Sequence, residues 1–253
     1  MIQQDHLQIF DLTLNVWAPL FVGNGSSYTK KEYMYNTRNG KVSFLDEQKF
    51  FSFLVEHDLV DKYGQFMLSE QSNLWAFLTK DCGISDAELK TLTRYQIEVG
   101  DALDAEHSLK EIHAFQRDAQ GHAYIPGSSI KGALRTAWLL SAVLADRSTG
   151  HSLAQNRRAA FPEEKYVNQL HLHGSIASDA VNSIFRGIQV SDSLSISDNC
   201  MMLAGKTDSA TDGGTHSINL CRECAAPGTA IRFKLTLDPV SYTHLTLPTN
   251  SLV

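Results

Sequence analysis

Near the N-terminus Leu12, Leu14 and Val16 alternate with Thr13 and Asn15, the period-two pattern of a strand with one buried face. The strand runs into Ala18-Pro-Leu-Phe-Val-Gly-Asn-Gly-Ser-Ser27, where Gly23 and Gly25 allow positive φ and close backbone approach. Tyr33-Met-Tyr35 and Lys41-Val-Ser-Phe-Leu45 flank Asn39-Gly40, which predicts a hairpin. Asp46 can cap the helix beyond it, on which Phe50, Phe53 and Leu54 share a face. From Asp58 to Gly121 the pattern is polar and mixed, with helices predicted at Ser69–Leu78 and Ser85–Thr91. Asp104–Arg117 fits either a helix or a long hairpin arm.

Ala123–Trp138 reads as a short strand, a Gly-rich turn and a helix reaching about Ala145, with Leu134, Ala137, Trp138 and Ser141 toward the core. Gly150–Ser183 is loop-rich and carries Arg157-Arg158. Gly187–Ile196 and Thr229–Asp238 read as strands. In the latter, Ile231, Phe233, Leu235 and Leu237 take one face and Arg232, Lys234 and Thr236 the other. Strands and helices follow no regular βα rhythm, so the fold class expected is α+β.

Composition narrows the picture. At 253 residues, with 43% apolar and 20% charged residues, the chain is an ordinary globular one. A chain this long buries roughly 70–75% of its unfolded surface and needs no disulfide staple. No apolar run approaches a membrane span, and the first residues carry acid where a signal peptide would be basic, so a cytoplasmic location is expected. The net charge of −6 argues against a free-standing, non-specific nucleic-acid binder, because such affinity comes from counterions released by Lys and Arg. A local basic site remains compatible with it.

Val240-Ser-Tyr-Thr-His-Leu-Thr-Leu-Pro-Thr249 breaks the pattern and matches the read-through translation of a transposon-type sequencing adapter. Val240–Val253 is therefore expected to be non-native, with the natural chain continuing beyond Pro239.

The densest chemistry lies at Gly127–Arg135. A helix start leaves N–H groups without partners and carries the positive end of the dipole, and glycines before it let a phosphate approach. Lys131 and Arg135 are four apart and project on one side, with the Ser128 and Ser129 hydroxyls close by. An anion site and a plain strand-to-helix turn with solvated cations both fit this spacing. A Walker A loop does not, since Lys131 precedes Gly132 and no Ser or Thr stands where magnesium would need it.

Tyr124-Ile-Pro-Gly-Ser-Ser-Ile-Lys-Gly-Ala-Leu-Arg-Thr136 resembles the glycine-rich motif of the RAMP superfamily, the RNA-binding subunits of CRISPR effector complexes. Pro19–Gly25 with Glu32-Tyr-Met-Tyr35, Glu111-Ile-His113, Gly187-Ile-Gln-Val-Ser-Asp-Ser193 and Arg222-Glu-Cys-Ala-Ala-Pro-Gly-Thr229 together look like the fifth subunit of the type III-A (Csm) complex. The resemblance implies a ferredoxin-like (RRM-type) core with insertions and a non-catalytic role. Such a subunit binds the 3′ part of the CRISPR RNA, caps the filament of backbone RAMP subunits and supports 3′-end maturation by other nucleases. Its implied partners are the CRISPR RNA, the other Csm subunits and those nucleases, with no membrane and no cofactor. RNA contact is expected from Gly127, Ser128, Ser129, Lys131, Gly132 and Arg135, and from Gly23, Asn24 and Gly25.

Other residues bear on competing chemistry. Cys221-Arg-Glu-Cys224 has zinc-like spacing, with Cys200 and His216 as remote further ligands, but no second paired motif, so semi-buried thiols are the preferred reading. His171-Leu-His173 offers two ligands at best. RAMP-type cleavage of CRISPR RNA is the alternative function, and His107, His113 and His122 are able to transfer protons near neutral pH.

Overall fold

The computed structural model describes residues 2–4, 6–36, 39–100, 102, 110–146, 161–172, 179–211 and 213–243. It divides into two units, one formed by Asn15–Tyr124 with Ser195–Ala230, the other by Met1–Leu14, Ile125–Leu194 and Ile231–Val253. The class is mixed α+β, as the irregular pattern implied.

In the first unit the Asn39-Gly40 signal produces its hairpin. β4 (Tyr33–Asn36) and β5 (Lys41–Leu45) pair antiparallel with Asn36 opposite Lys41, and Gly40 takes a φ of 62°. They end a seven-stranded sheet completed by β3 (Gly23–Tyr28), β6 (Thr93–Glu98), β7 (Glu111–Phe115), β9 (Met201–Ser209) and β10 (Thr215–Ala225), in the order β3-β7-β10-β9-β6-β5-β4. The ambiguous stretch before Arg117 thus supplies strand β7, held between β3 and β10; residues 103–109, and His107 with them, lie outside the described residues.

Asp46 caps α1 (Glu47–Glu56), its carboxylate accepting from the Lys49 N–H at 3.1 Å. Phe50 and Leu54 are buried and Phe53 packs beside them. The helix expected at Ser69–Leu78 starts later: Asn73 caps α3 (Leu74–Ala76), which continues as a π-helical turn to Asp81. Ser85 and Glu88 form a capping box on α4 (Asp86–Leu92). α2 (Val60–Leu68) was not legible. Only Phe66 of it is buried, stacked on Phe77 at 4.4 Å, whereas Leu68 is 91% exposed, so its apolar residues never make one stripe.

The second unit holds a four-stranded sheet of β1 (Ile2–Gln4), β2 (Leu7–Asn15), β8 (Ile188–Val190) and β11 (Ala230–Leu237), in the order β1-β2-β11-β8. On β11, Ile231 and Phe233 are buried and the alternating Arg232 and Lys234 exposed, as the pattern required. The strand expected over Gly187–Ile196 is shorter, ending at Val190. Between β2 and β8 the chain forms α5 (Gly127–Ala145), packed against β8, and α6 (Phe161–Tyr166). Lys165 and the Tyr166 hydroxyl hold Asp146, just past the end of α5, at 2.7 and 2.8 Å.

One expectation for α5 is overturned. Leu134, Ala137, Trp138 and Ser141, assigned to the core, are exposed, and the half-covered face carries Lys131, Arg135, Leu139 and Ala142 instead. α6 approaches from the cationic side, where Glu163 meets Arg135.

Candidate nucleic-acid interface

Pro126 precedes α5 with extended backbone, and Gly127 is the first helical residue. The Gly127 N–H donates to Asp192 Oδ1 at 2.8 Å, and Ser193 exchanges two bonds with Ile125, its Oγ accepting and its N–H donating. The segment just after β8 therefore clamps the helix start from both sides. A Cβ on Gly127 would stand 2.1 Å from the Val190 carbonyl oxygen and 2.7 Å from that of Ser191. Gly127 is buried, and its lack of a side chain serves this close packing.

What remains open lies one turn further on. Ser128 and Ser129 are exposed, Lys131 is half-buried, and a Cβ on Gly132 would meet nothing within 4 Å. Arg135 is drawn aside by Glu163 of α6 at 3.0 Å, with both side chains about 40% exposed. One carboxylate thus already occupies the positive end of the helix and a second neutralises one of the two cations. Neither Asp192 nor Glu163 was identifiable beforehand, since the Asp192 contact spans 65 residues.

Arg232 and Lys234 supply positive charge that the motif did not reveal. They line a hollow of about 550 Å³ together with Ser191, Asp192 and Asp11. Lys234 Nζ lies 4.0 Å from Asp11, and the Lys234 backbone N–H donates to Ser191 Oγ at 2.9 Å.

Gly23, Asn24 and Gly25 belong to the other unit. They are exposed on β3, an edge strand whose register against β7 shifts between Gly23 and Ser27. Gly25 has a φ of 87°, and Asn24 Oδ1 accepts from the N–H and hydroxyl of Ser26 at 2.9 and 2.7 Å, so that side chain is spent on its own bulge.

Residues 13–246 match the RAMP superfamily. The chain belongs to the RAMP superfamily. It is 28% identical over 254 residues to the CRISPR system Cms protein Csm5 of Mycobacterium tuberculosis (strain CDC 1551 / Oshkosh), covering 92% of this chain and 67% of the relative. It is 31% identical over 235 residues to the protein of the same description from Streptococcus thermophilus, covering 90% and 63%. The chain thus spans about two thirds of the length of these curated relatives. The crystal structure of T. onnurineus Csm5 shares the fold with a TM-score of 0.72 at 18% identity, over 92% of this chain and 69% of that one. A chain of the cryo-EM structure of a Csm-crRNA-target RNA ternary complex of a type III-A CRISPR-Cas system does so with a TM-score of 0.60 at 16% identity, over 92% and 65%.

In this RAMP chain the two candidate histidines among the described residues each lie beside an acidic neighbour. His113 Nε2 lies 3.8 Å from Glu111, and His122 Nδ1 lies 3.3 Å from Asp118, each a neighbour on the same local segment. Cys221 and Cys224 sit three residues apart on extended β10, so their side chains leave opposite faces of the sheet, and the Cys221 thiol donates to the Ala102 carbonyl at 3.4 Å. Burial pushes the Cys224 thiol up to about 11. Among the described residues no three His, Cys, Asp or Glu side chains gather as metal ligands; His173 lies outside them, as do Arg157 and Arg158.

Behind β7 the RAMP chain holds a buried charge cluster that no motif announced. Arg117 packs its guanidinium 3.5 Å over the Tyr95 ring, pairs with Asp198 at 2.9 Å and faces Glu223 at 3.5 Å. Glu223 is fully buried on β10, and its second oxygen accepts from the Phe115 N–H at 2.7 Å. Burial raises the Glu223 carboxyl above the usual carboxylate range.

Proposed function

We propose that this chain is a non-catalytic RNA-binding subunit of a type III-A CRISPR effector complex. It binds the 3′ part of the CRISPR RNA, caps the filament of backbone subunits and supports 3′-end maturation by other nucleases. The observation that carries this reading is kinship with two proteins described as Csm5 over 90–92% of the chain, a span that includes both units. The ferredoxin-like reading fits the second unit, where β2, α5, β8 and β11 follow in sequence and β11 lies between β2 and β8. Among the described residues no helix is long and apolar enough to cross a membrane.

The chemistry offered is for backbone rather than bases. Hydroxyls of Ser128 and Ser129, the Lys131 ammonium and the open ground at Gly132 suit phosphate and ribose oxygens, which carry little sequence information. Asp192 limits the attraction at the helix end itself, which accords with an acidic chain whose grip on RNA is completed by neighbouring subunits.

Lys131→Ala is expected to weaken CRISPR RNA binding alike for RNAs of different sequence, and to flatten the log–log salt slope by about 0.7 per lost phosphate contact on a single strand. Arg135→Ala should act less, because Glu163 already neutralises it. The measurement is filter binding or anisotropy across a salt series, on the chain alone and on the assembled complex. An unaltered slope for Lys131→Ala would return that residue to the solvated face of an ordinary helix. RNA cut by the purified protein, and spared after His107, His113 or His122 is replaced, would favour the endoribonuclease reading instead.

A further inference from the structure

In the unit of the seven-stranded sheet, β5 carries a polar residue where packing against the helices would favour an apolar one. Lys41-Val-Ser-Phe-Leu45 alternates, so Val42 and Phe44 take one face and Ser43 the other. Register sets Ser43 opposite Met34 of β4 and opposite Gln96 of β6, a row across three strands. Met34 belongs to the apolar cluster with Leu74 and Leu89, which identifies this as the helix-facing side. Ser43 is only 8% exposed, and its Oγ accepts from Gln96 Nε2 at 2.8 Å. Among the described residues the Ser43 hydroxyl proton and the Gln96 carbonyl oxygen take no further partner. A donor and an acceptor are thus held side by side on rigid strands.

Above this row lies a hollow of about 300 Å³, at the lower end of the roughly 300–1,000 Å³ of small-ligand sites. One wall comes from the α4 segment, where Asp86, Leu89, Lys90 and Thr93 fall three and four residues apart and share a side. Another comes from Trp75 of α3, itself partly buried against the apolar cluster. The exposed Lys90 ammonium makes no ion pair among the described residues. These surfaces discriminate between ligands. A purely apolar guest would leave the Ser43 donor and the Gln96 acceptor unpaired, at a cost. A bare anion would waste the surface of Met34, Trp75 and Leu89. A planar heterocycle with donors and acceptors along its edge uses both, stacking on an aromatic side chain while its edge is bonded. Lys90 then suits a phosphate attached to that ring through a sugar.

We propose that this hollow holds one nucleoside 5′-monophosphate unit, its base against Trp75 with an edge on Ser43 and Gln96, and its phosphate at Lys90. The unit is either a free mononucleotide or a single unstacked residue of a strand. All the residues involved belong to the unit of the seven-stranded sheet, whereas Gly127–Arg135 belongs to the other. The inference therefore does not rest on the RNA-binding reading of that motif.

The test titrates the whole chain with AMP, GMP, CMP and UMP in turn. With Trp17 and Trp138, both exposed, replaced by Phe, the remaining emission is that of Trp75, and at least one nucleotide should quench it saturably. Gln96→Leu keeps the size of the side chain and removes its amide. It should weaken that nucleotide by about tenfold or more, the scale of a lost hydrogen-bonded pair to a base edge, without lowering Tm. Lys90→Ala should weaken the nucleotide but not the matching nucleoside, a split that a purely structural lysine would not produce. Competition identifies the source. Single-stranded RNA that displaces the nucleotide from the parent chain marks a strand residue as the occupant, and a nucleotide that resists RNA marks a free ligand. Independently of any variant, amide chemical shifts should move at Ser43, Lys90 and Gln96 when the nucleotide is added. Absence of saturable quenching by all four nucleotides would overturn the proposal. So would equal affinity in the parent and in Gln96→Leu, or shift changes confined to other residues.

Discussion

Replacing Arg117 with alanine is expected to destabilise the unit containing the seven-stranded sheet by about 3–5 kcal/mol, the range for removing one partner of a buried ion pair. The guanidinium is 8% exposed and covers Tyr95, while Glu223 behind it is fully buried. Without the cation, one Glu223 oxygen keeps the Phe115 N–H and the other faces the emptied space. Asp198 matters less, because it is 41% exposed and exposed pairs contribute about 0–1 kcal/mol.

The pH dependence has a definite sign. Burial raises the folded-state pKa of Glu223, and losing Arg117 raises it further. A carboxyl of that kind contributes its full stability below the unfolded value of about 4.3 and loses it as pH rises through the folded value. The gap between Arg117→Ala and the parent should therefore widen from acid toward neutral pH, as measured by urea unfolding at several pH values. Arg117→Met with Glu223→Gln should recover part of the loss, because the amide oxygen still accepts from Phe115 and no charge is left buried. A gap constant with pH would mean that the cation acts through packing on Tyr95 alone.

The second large effect is at Gly127. Even alanine would put its Cβ 2.1 Å from a backbone carbonyl oxygen, so α5 or the clamp after β8 must move. A loss of about 1–3 kcal/mol or more is expected for Gly127→Ala, and more for valine, the scale of overpacking a tight interior. Gly132 lies in the same motif and should respond oppositely. Its Cβ meets open space inside an exposed helix, so Gly132→Ala should stabilise by up to about 1 kcal/mol. Denaturant midpoints of the two variants separate these roles. RNA binding lost in Gly132→Ala without loss of stability would assign the open ground there to the ligand.

Local chemistry made much of the scaffold legible. The Asn39-Gly40 hairpin, the Asp46 and Ser85 caps, the alternation along β2 and β11 and the presence of α5 each depend on residues a few positions apart, and each formed. α2 escaped because its apolar residues point both into the cluster around Phe66 and out to solvent, which leaves no period to read. The reading of Cys221 and Cys224 could go no further than their spacing, because whether two thiols three apart converge depends on helix, turn or strand, and strand sends them apart.

The α+β class, the turn and cap positions, and the small and cationic residues gathered at the start of α5 follow from residues near one another along the chain. How that start is used was settled by folding, through residues distant along the chain. Asp192 arrives from 65 residues away to take the first N–H, Val190 requires Gly127 to lack a side chain, and Glu163 claims Arg135. Folding also turned Arg135 on the cationic side of α5 toward Glu163 of α6, leaving Trp138, Leu140 and Leu144 exposed. Periodicity identifies a helix with two distinct sides; which side is covered depends on what the rest of the chain brings to it.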